Sequence, residues 1–527
     1  TLVTRYSLQP GDRILVDTGR YVLTNAVTID ISRYVGVATN PLSIIGSTNI
    51  AAGGTQISRR NGAVAFDLNS VAGVNLSYLT VSNAGAAVRI RSSTNAIIQW
   101  LDIKGTGIGI ELIGSRDTTI RHTAIRECTT NAIAVLQSTN TYVQNSVLWS
   151  NANAVLVGLP FPPIVSGPDS SISISNSALA AFGTAAILYR LEGGSIQGDY
   201  NNIELNNGAI MSRQTGGFFA RLYDSLAMWR QLTGQDFSSL SVAAQFTSPE
   251  EGDFHLRSQN GRFNIQTQTF VNDGETSRLI DAGAPTAAFT NEPAPNGGRI
   301  NIGRYGNTAE ASRMTTNGTL TIISNNDGGS MSGTNVIRWV AAGRATGEIM
   351  RIDLSLDGAA TFTNLTTNFP SSAGQYSWNT LAHTSTVRGV IRFFNQTTTN
   401  VMDSTDKLFS IRNHPIVFYV NDGSMTGDVY TTTSGVSFAT GLTRHDPKRS
   451  LAEVLESWDV EPNDVIYLDT GLYTNNVVTT FNQLDGGSIT SAARVVVQGS
   501  TNVSAGGSRF TGPTAGTTMY LTDAAAV

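Results

Sequence analysis

Lysine is almost missing. Lys104, Lys407 and Lys448 are the only three, against a combined Lys+Arg total of 34 in 527 residues. Mechanisms that need a lysine base or Schiff base therefore have few places to sit. A single cysteine, Cys128, excludes an intrachain disulfide and any Cys-x-x-Cys zinc site. Charged residues are 14% of the chain, well below the roughly 25% of ordinary domains. The net charge of −5 and pI near 5.6 argue against a nucleic-acid or anionic-membrane binder. No apolar run reaches the length of a membrane-spanning helix, and no P-loop or dinucleotide fingerprint occurs. What remains is 40% hydrophobic and rich in glycine, with 52 residues. That is enough apolar material for a large core and excludes wholesale disorder.

Repetition dominates what is present. The segment from Pro10 to Tyr21, with Asp12, Asp17, Thr18 and Gly19, recurs 452 residues later from Pro462 to Tyr473, with Asp464, Asp469, Thr470 and Gly471. One residue further out of step, Gly46-Ser-Thr-Asn49 returns as Gly499-Ser-Thr-Asn502, and Gly53-Gly54 as Gly506-Gly507. The chain thus reads as one long period and the beginning of another. Thr1 aligns with Glu453, inside a helical segment. The expectation is a natural protein longer in both directions.

A finer period lies within residues 73–158. Leu76, Ile98, Ile120 and Val143 step by 22, 22 and 23 residues, and Val81, Ile103, Ile125 and Leu148 follow in step. Ile90, Leu112, Val135 and Val157 form a third series, with Asn95, Asp117 and Asn140 at one polar corner. Rungs of this length with three short strands predict a parallel β-solenoid. The spacing next predicts a helix over 221–232, with Leu222, Leu226, Trp229 and Leu232 on one face and Gly234 at its end. Alternating segments within 314–413 predict a β-sandwich, and 414–446 reads as a Gly/Thr/Ser-rich connector. Pro447 to Trp458 predicts an amphipathic helix capping the next solenoid, with Leu451, Leu455 and Trp458 in its apolar stripe. The expected fold class is all-β. A right-handed parallel β-helix with an irregular C-terminal part spans 1–313, a sandwich 314–413, a connector 414–446, and a helical cap with the first rungs of a second β-helix 447–527.

Several of these segments resemble the right-handed parallel β-helix repeat proteins of the pectate-lyase-like superfamily. The rungs, Asp199-Tyr-Asn201, Thr233-Gly-Gln-Asp236, Gly252-Asp-Phe-His-Leu256, Ile280-Asp-Ala-Gly283 and the run from Asn291 to Gly306 carry the likeness. Residues 336–393 resemble a fibronectin type III or immunoglobulin-like module. Together the likenesses imply giant secreted bacterial surface proteins, hence an extracellular or cell-surface location. The superfamily holds lyases, hydrolases and non-catalytic adhesins alike, so activity must be argued from residues.

Glycoside hydrolysis needs two carboxylates facing each other across a sugar. The regular rungs offer Asp102, Glu111, Asp117 and Glu127 with His122, but no evident facing pair. A lyase would need Lys104 or one of Arg89, Arg91, Arg121 and Arg126 as base beside a carboxylate-bound calcium, and alternation with apolar residues gives Arg89 and Arg91 a solvated outer face instead. His122, His255, His383, His414 and His445 lack metal-ligand spacing, and Cys128 lacks a triad. Calcium has candidates in Asn421-Asp-Gly-Ser-Met-Thr-Gly-Asp428, with Asp422 and Asp428, and at Asp273, although plain acidic turns have the same composition. Trp100, Trp149 and Tyr189 are candidate sugar-stacking aromatics. The main expectation is a non-enzymatic structural repeat segment of a fibre-forming or adhesive surface protein, with no catalytic residues and no cofactor beyond possible calcium. Its partners would be neighbouring copies of the repeat and surface carbohydrate, with neither nucleic acid nor membrane insertion. The alternative is a polysaccharide-binding or polysaccharide-degrading β-helix protein. A cleft holding facing carboxylates would favour that alternative, and a flat flank would not.

Overall fold

In the computed structural model the described residues are 2–34, 36–60, 62–159, 169–215, 220–345, 347–397, 400–474, 479–481, 485, 493–512 and 519–521. They divide into two compact units. One is Thr1–Ser324 with Arg338–Glu348 and Pro370–Gly374, and the other is Asn325–Ile337, Ile349–Phe369 and Gln375–Val527.

The first unit is a parallel β-helix of three long sheets, eight-, eight- and nine-stranded. Successive strands in each sheet come from successive rungs, such as Ala72–Ser77, Thr94–Gln99, Arg116–Arg121 and Thr139–Gln144. The register follows the sequence period. Leu76 pairs with Ile98, Ile98 with Ile120, and Ile120 with Val143. Val81, Ile103, Ile125 and Leu148 pair in the same way on the second sheet. Ile90, Leu112, Val135 and Val157 do so on the third. All twelve are fully buried, so each rung rests its apolar side chain on the same side chain of the next.

Polar corners let the chain turn between sheets. Tyr78, Trp100, His122, Asn145, Asn176 and Tyr200 occupy one corner, all left-handed, with φ between 46° and 57°. The predicted Asn95, Asp117 and Asn140 corner is also left-handed, and Asn140 donates to Asp117 at 2.9 Å. A second ladder, not foreseen, satisfies amides that the turning backbone leaves unpaired. Val71 N–H donates to Ser93 Oγ at 3.1 Å, Ser93 N–H to Ser115 Oγ at 3.2 Å, and Ser115 N–H to Ser138 Oγ at 2.9 Å. Thr123, Ser146, Ser177 and Asn201 repeat the device at another corner. Each side-chain oxygen substitutes for the missing ladder carbonyl.

The helix expected over 221–232 begins later, at Leu226, and runs to Thr233. Ser225 caps it by accepting from Met228 N–H at 3.2 Å, and Gly234 ends it in the left-handed conformation. Ala220–Tyr223 is instead a strand antiparallel to Ile210–Thr215, so Leu222 does not join the apolar stripe, and Leu232 is exposed. After the helix the chain folds back over the second sheet in short hairpins. Phe246, Phe254, Leu256, Leu279, Ile280 and Ile302 form a common core there with Ala124 and Val147.

In the second unit Ile349–Ser355 pairs antiparallel with Thr386–Asn395, which also pairs with Val401–Ser404. A second three-faced β-helix then begins. Val465–Leu468 pairs parallel with Val496–Gly499, Gly471–Thr474 with Ser508–Thr511, and Thr479–Phe481 with Met519–Leu521. Val417–Val420, inside the stretch that reads as connector, lies parallel beneath Val465–Leu468. The capping helix runs Leu451–Ser457, and Leu451 and Val454 are buried in the same core as Phe418, Ile466, Leu468 and Tyr473.

The long repeat is visible bond by bond. The hydroxyls of Tyr21 and Tyr473 donate to the carbonyls of Asp17 and Asp469, at 3.1 and 2.9 Å. Thr18 meets Ser47 at 2.7 Å as Thr470 meets Ser500 at 2.6 Å. Asn49 and Asn502 each cap a short 3-10 turn that ends in a left-handed glycine, Gly53 or Gly506.

Candidate active site

A groove of about 660 Å³ lies on the first unit, between the second sheet's early corners and the hairpins that fold back over them. Its aromatic side is the corner ladder. Tyr78 and Trp100 stack with ring centroids 5.9 Å apart and planes 4° apart, and Trp100 and His122 stack at 4.7 Å and 8°. Because one residue per rung reaches this corner, three flat side chains one rung apart must lie face to face. His122 Nδ1 lies 2.8 Å from the Arg304 carbonyl oxygen, and the contact calls for the Nδ1–H tautomer. Burial lowers the His122 pKa; the carbonyl bond opposes this, and the Arg121 and Arg304 charges add to it.

The returning chain lines the rest of the groove with Ser248, Glu251, Gly252, Asp253, Arg262 and Asn264, and with Arg304, Tyr305, Thr308 and Glu310. Two contacts anchor the Pro249–Glu251 turn to the rungs, both to the Glu250 carbonyl. Arg126, buried, donates to the Glu250 carbonyl at 2.9 Å and to Asp102 Oδ2 at 3.2 Å. Lys104 Nζ donates to the same Glu250 carbonyl at 3.3 Å. Gly252 has φ +89°, a conformation that favours glycine, and a Cβ there would stand 2.6 Å from Arg126 Nη2, so that a larger residue would push the guanidinium aside.

Carboxylates gather in the groove. Asp102, Glu251, Asp253 and Glu310 all line it. Asp102 Oδ1 is buried and has no hydrogen-bond partner among the described residues. His255 stands between Asp253 and Glu310, with Nδ1 2.6 Å from Asp253 Oδ1 and Nε2 3.5 Å from Glu310 Oε2. Its ring stacks on Tyr305 at 3.6 Å, which fixes it. Burial alone would raise the Asp253 pKa, but hydrogen bonds from the His255 ring and backbone, with the Arg262 charge, bring it below the usual value. Tyr78 is raised by burial and by the charge of Glu310. The groove therefore offers the Asp253 carboxylate, held in its ionised form, and those of Glu251 and Glu310 on the loop side, an unpartnered Asp102 oxygen on the rung side, and stacked rings.

The remaining sequence candidates fall elsewhere. Glu111 is paired with Arg89 at 2.5 Å and Asp67 with Arg91 at 2.6 Å, on the third sheet. Asp117 belongs to the polar corner ladder. Glu127 is half-exposed beside Lys104 and Arg126. Arg121 donates to Gln99 at 2.9 Å. Cys128 is buried 3.3 Å from the Thr106 hydroxyl, and burial pushes its thiol up to about 11. Trp149 packs against Phe182, Phe246 and Phe254, and Tyr189 is fully buried against Trp229, so of the three proposed sugar-stacking rings only Trp100 reaches the groove.

The calcium candidates all have protein donors. Asp422 accepts from Ser424 and Leu472 N–H at 2.7 and 2.8 Å, Asp428 from the Asn421 amide at 2.7 Å, and Asp273 from Arg262 at 3.0 Å. Among the described residues no three of His, Cys, Asp or Glu stand in a metal-binding group.

Tyr78, Glu251, Asp253, Tyr305 and Glu310 were missed by sequence reasoning. One signal was available: Tyr78, Trp100 and His122 share the 22-residue step of the rungs.

Rungs stacked in three parallel sheets define a right-handed parallel β-helix protein, and residues 62–220 match the family model described as the right handed beta helix region. Among solved structures the chain is similar to DFA-IIIase from Arthrobacter chlorophenolicus A6, at 12% identity and a TM-score of 0.22, over 44% of this chain and 83% of that one. It is also similar to a cysteine-to-alanine mutant of that enzyme in complex with DFA-III, at 12% identity and a TM-score of 0.18, over 44% and 82% of the two chains. No curated protein is a significant match. The expectation of a non-enzymatic chain is corrected here. It rested on the lack of gathered carboxylates, and the folded-back hairpins bring Asp102, Glu251, Asp253 and Glu310 to one groove.

Proposed function

We propose that the groove binds an oligosaccharide or polysaccharide and acts on its glycosidic bonds. The observation that carries this reading is that the stacked rings of Tyr78 and Trp100 line the same groove as the carboxylates Asp102, Asp253 and Glu310. Flat rings give a sugar's C–H face a surface to rest on, and carboxylates supply the acid and base of glycosidic cleavage. Glu310, whose carboxylate lies 3.5 Å from the His255 ring, serves as the proton donor or acceptor. Asp102, relieved of one hydrogen bond, is the second carboxylate. Calorimetric titration with neutral and acidic oligosaccharides, together with an assay for new reducing or unsaturated ends, tests this. Trp100→Ala should weaken binding about tenfold or more, roughly 1.4 kcal/mol. Glu310→Gln should abolish turnover and keep binding. Saccharide binding indifferent to Trp100→Ala would overturn the assignment.

The 452-residue repeat, with its hydrogen bonds reproduced in both copies, favours a second and compatible reading. The chain is a unit of a tandem array, exposed at a cell surface, whose partners are further copies of itself.

A further inference from the structure

The two copies of the repeat differ in one respect. In the second, the rung beginning near Pro462 is covered. Val417–Val420 adds a parallel strand to Val465–Leu468. Asp464 is 1% exposed, paired with Arg412 at 2.7 Å and accepting from Ile416 N–H at 2.7 Å. Asp469 is fully buried because its carboxylate accepts from three consecutive backbone N–H groups, Val429, Tyr430 and Thr431, at 2.6 to 2.8 Å, and from the Thr431 hydroxyl at 2.8 Å. In the first copy the same residue types meet none of these partners. Asp12 and Asp17 are exposed, and among the described residues the Asp17 carboxylate holds only its neighbour Thr18 N–H, at 2.7 Å. Arg13–Leu15 ends its sheet, with Leu15 72% exposed. Tyr21 is 38% exposed where Tyr473 is 2% exposed.

The internal bonds of the rung are nevertheless the same in both copies. Gln9 N–H caps Asp12 at 2.8 Å as Glu461 N–H caps Asp464 at 2.9 Å. The first rung is thus built like its covered counterpart, down to two carboxylates whose ligands are supplied from outside it.

We infer that the open face of residues 8–23 is a docking surface for a second copy of segment 412–452, which adds a parallel strand to Arg13–Leu15, brings an arginine to Asp12, and closes a nest of backbone amides around Asp17. The occupant is fixed by the second unit, where that segment is seen on the equivalent rung. Charge complementarity agrees, because Asp12 is an anion lacking its cation and Asp17 an anion lacking its amide donors. Register agrees too. Leu2–Arg5 is the equivalent of the last turn of the helix Leu451–Ser457, and residue 452 is the position that would precede Thr1. Tandem copies would then be joined rung to rung, not by a free linker.

The test is an extended chain in which residues 412–452 precede Thr1 without a spacer. Backbone amides of residues 13–23 should gain at least about tenfold protection from hydrogen exchange, in the manner of an edge strand that becomes internal. Asp17→Ala should remove that gain in the extended chain and change the original chain's exchange at Thr18 alone, whose N–H is the group its carboxylate meets there. Arg412→Ala, placed in the added copy alone, should weaken the protection and leave the second unit intact. Equal exchange at 13–23 with and without the extension would overturn the inference. So would a gain that survives both Asp17→Ala and Arg412→Ala.

Discussion

Removing one hydroxyl from the serine ladder should loosen one named amide and no other. Ser115 is 3% exposed, and its Oγ accepts from Ser93 N–H at 3.2 Å and donates to the Ile90 carbonyl at 3.1 Å. Ser115→Ala deletes one small atom, so the cavity contribution is slight. It leaves a buried N–H without an acceptor, because Ser93 is itself 2% exposed. An orphaned buried donor costs about 1–3 kcal/mol. An aliphatic deletion at the same depth, such as Ile120→Ala, would cost about 2–5 kcal/mol by cavity formation. The hydroxyl is thus worth a substantial fraction of a buried methyl cluster although it makes no apolar contact. Urea melts give the size of the loss, and amide exchange gives its address. In Ser115→Ala the Ser93 amide should exchange faster. In Ser138→Ala the Ser115 amide should do so instead, since its acceptor is Ser138 Oγ at 2.9 Å. A Ser115→Thr variant, which keeps the oxygen, should restore Ser93 protection. The reasoning fails if Ser115→Ala melts like the wild type with Ser93 exchange unchanged, or if both variants release the same amides.

Two further outcomes are expected. Burial raises Glu292 to about 8 and Asp281 to about 7, against ordinary values of 4.5 and 3.8. The folded state then holds protons that the unfolded state has lost, so the stability from these groups is full below about pH 4 and is lost as pH rises toward 8. Glu292→Gln should flatten the fall of Tm between pH 5 and 8 relative to the wild type, and an identical slope in the variant would refute the assignment. Leu451 is fully buried in the second unit's core, so Leu451→Ala should lower that unit's stability by about 2–5 kcal/mol, read as an earlier unfolding of residues 416–474 by exchange mass spectrometry with the rungs of 70–158 unchanged.

The rungs were legible because their physics is local and periodic. A 22-residue step repeated at Leu76, Ile98 and Ile120 leaves one stacking register, and the structure adopts it at all three series. Helix starts were less legible. The apolar spacing of Leu222 with Leu226 fitted a helix, but Ser225 accepts from Met228 N–H and sets the start after it, and Leu222 is recruited by the strand Ile210–Thr215. The groove was not legible at all as a unit. Its residues lie as far apart as Tyr78 and Glu310, and they meet only because the chain folds back over its own rungs after the helix. Within the rungs, Asp102 and Glu111 lie on different sheets, so no inspection of rung residues alone would have gathered the carboxylates.

The corner that bears the groove also shows how one backbone position serves two ends. Every residue at this corner must adopt a left-handed conformation, which asparagine tolerates and bulky side chains resist by about 1–2 kcal/mol. Beyond His122 the corner is asparagine at two rungs, Asn145 and Asn176, before Tyr200, and Asn176 does structural service. Asn176 accepts from Ala284 N–H at 2.7 Å and its carbonyl accepts from Gly303 N–H at 2.8 Å, tying the returning chain to the solenoid. At the near rungs the corner is Tyr78 and Trp100, whose side chains make no hydrogen bond among the described residues and which line the groove. If the corner needed only to turn, asparagine or glycine would serve at every rung and with less strain. Two large aromatic residues held in the disfavoured conformation, at the rungs the hairpins leave open, are accounted for by what they present and not by the turn they make.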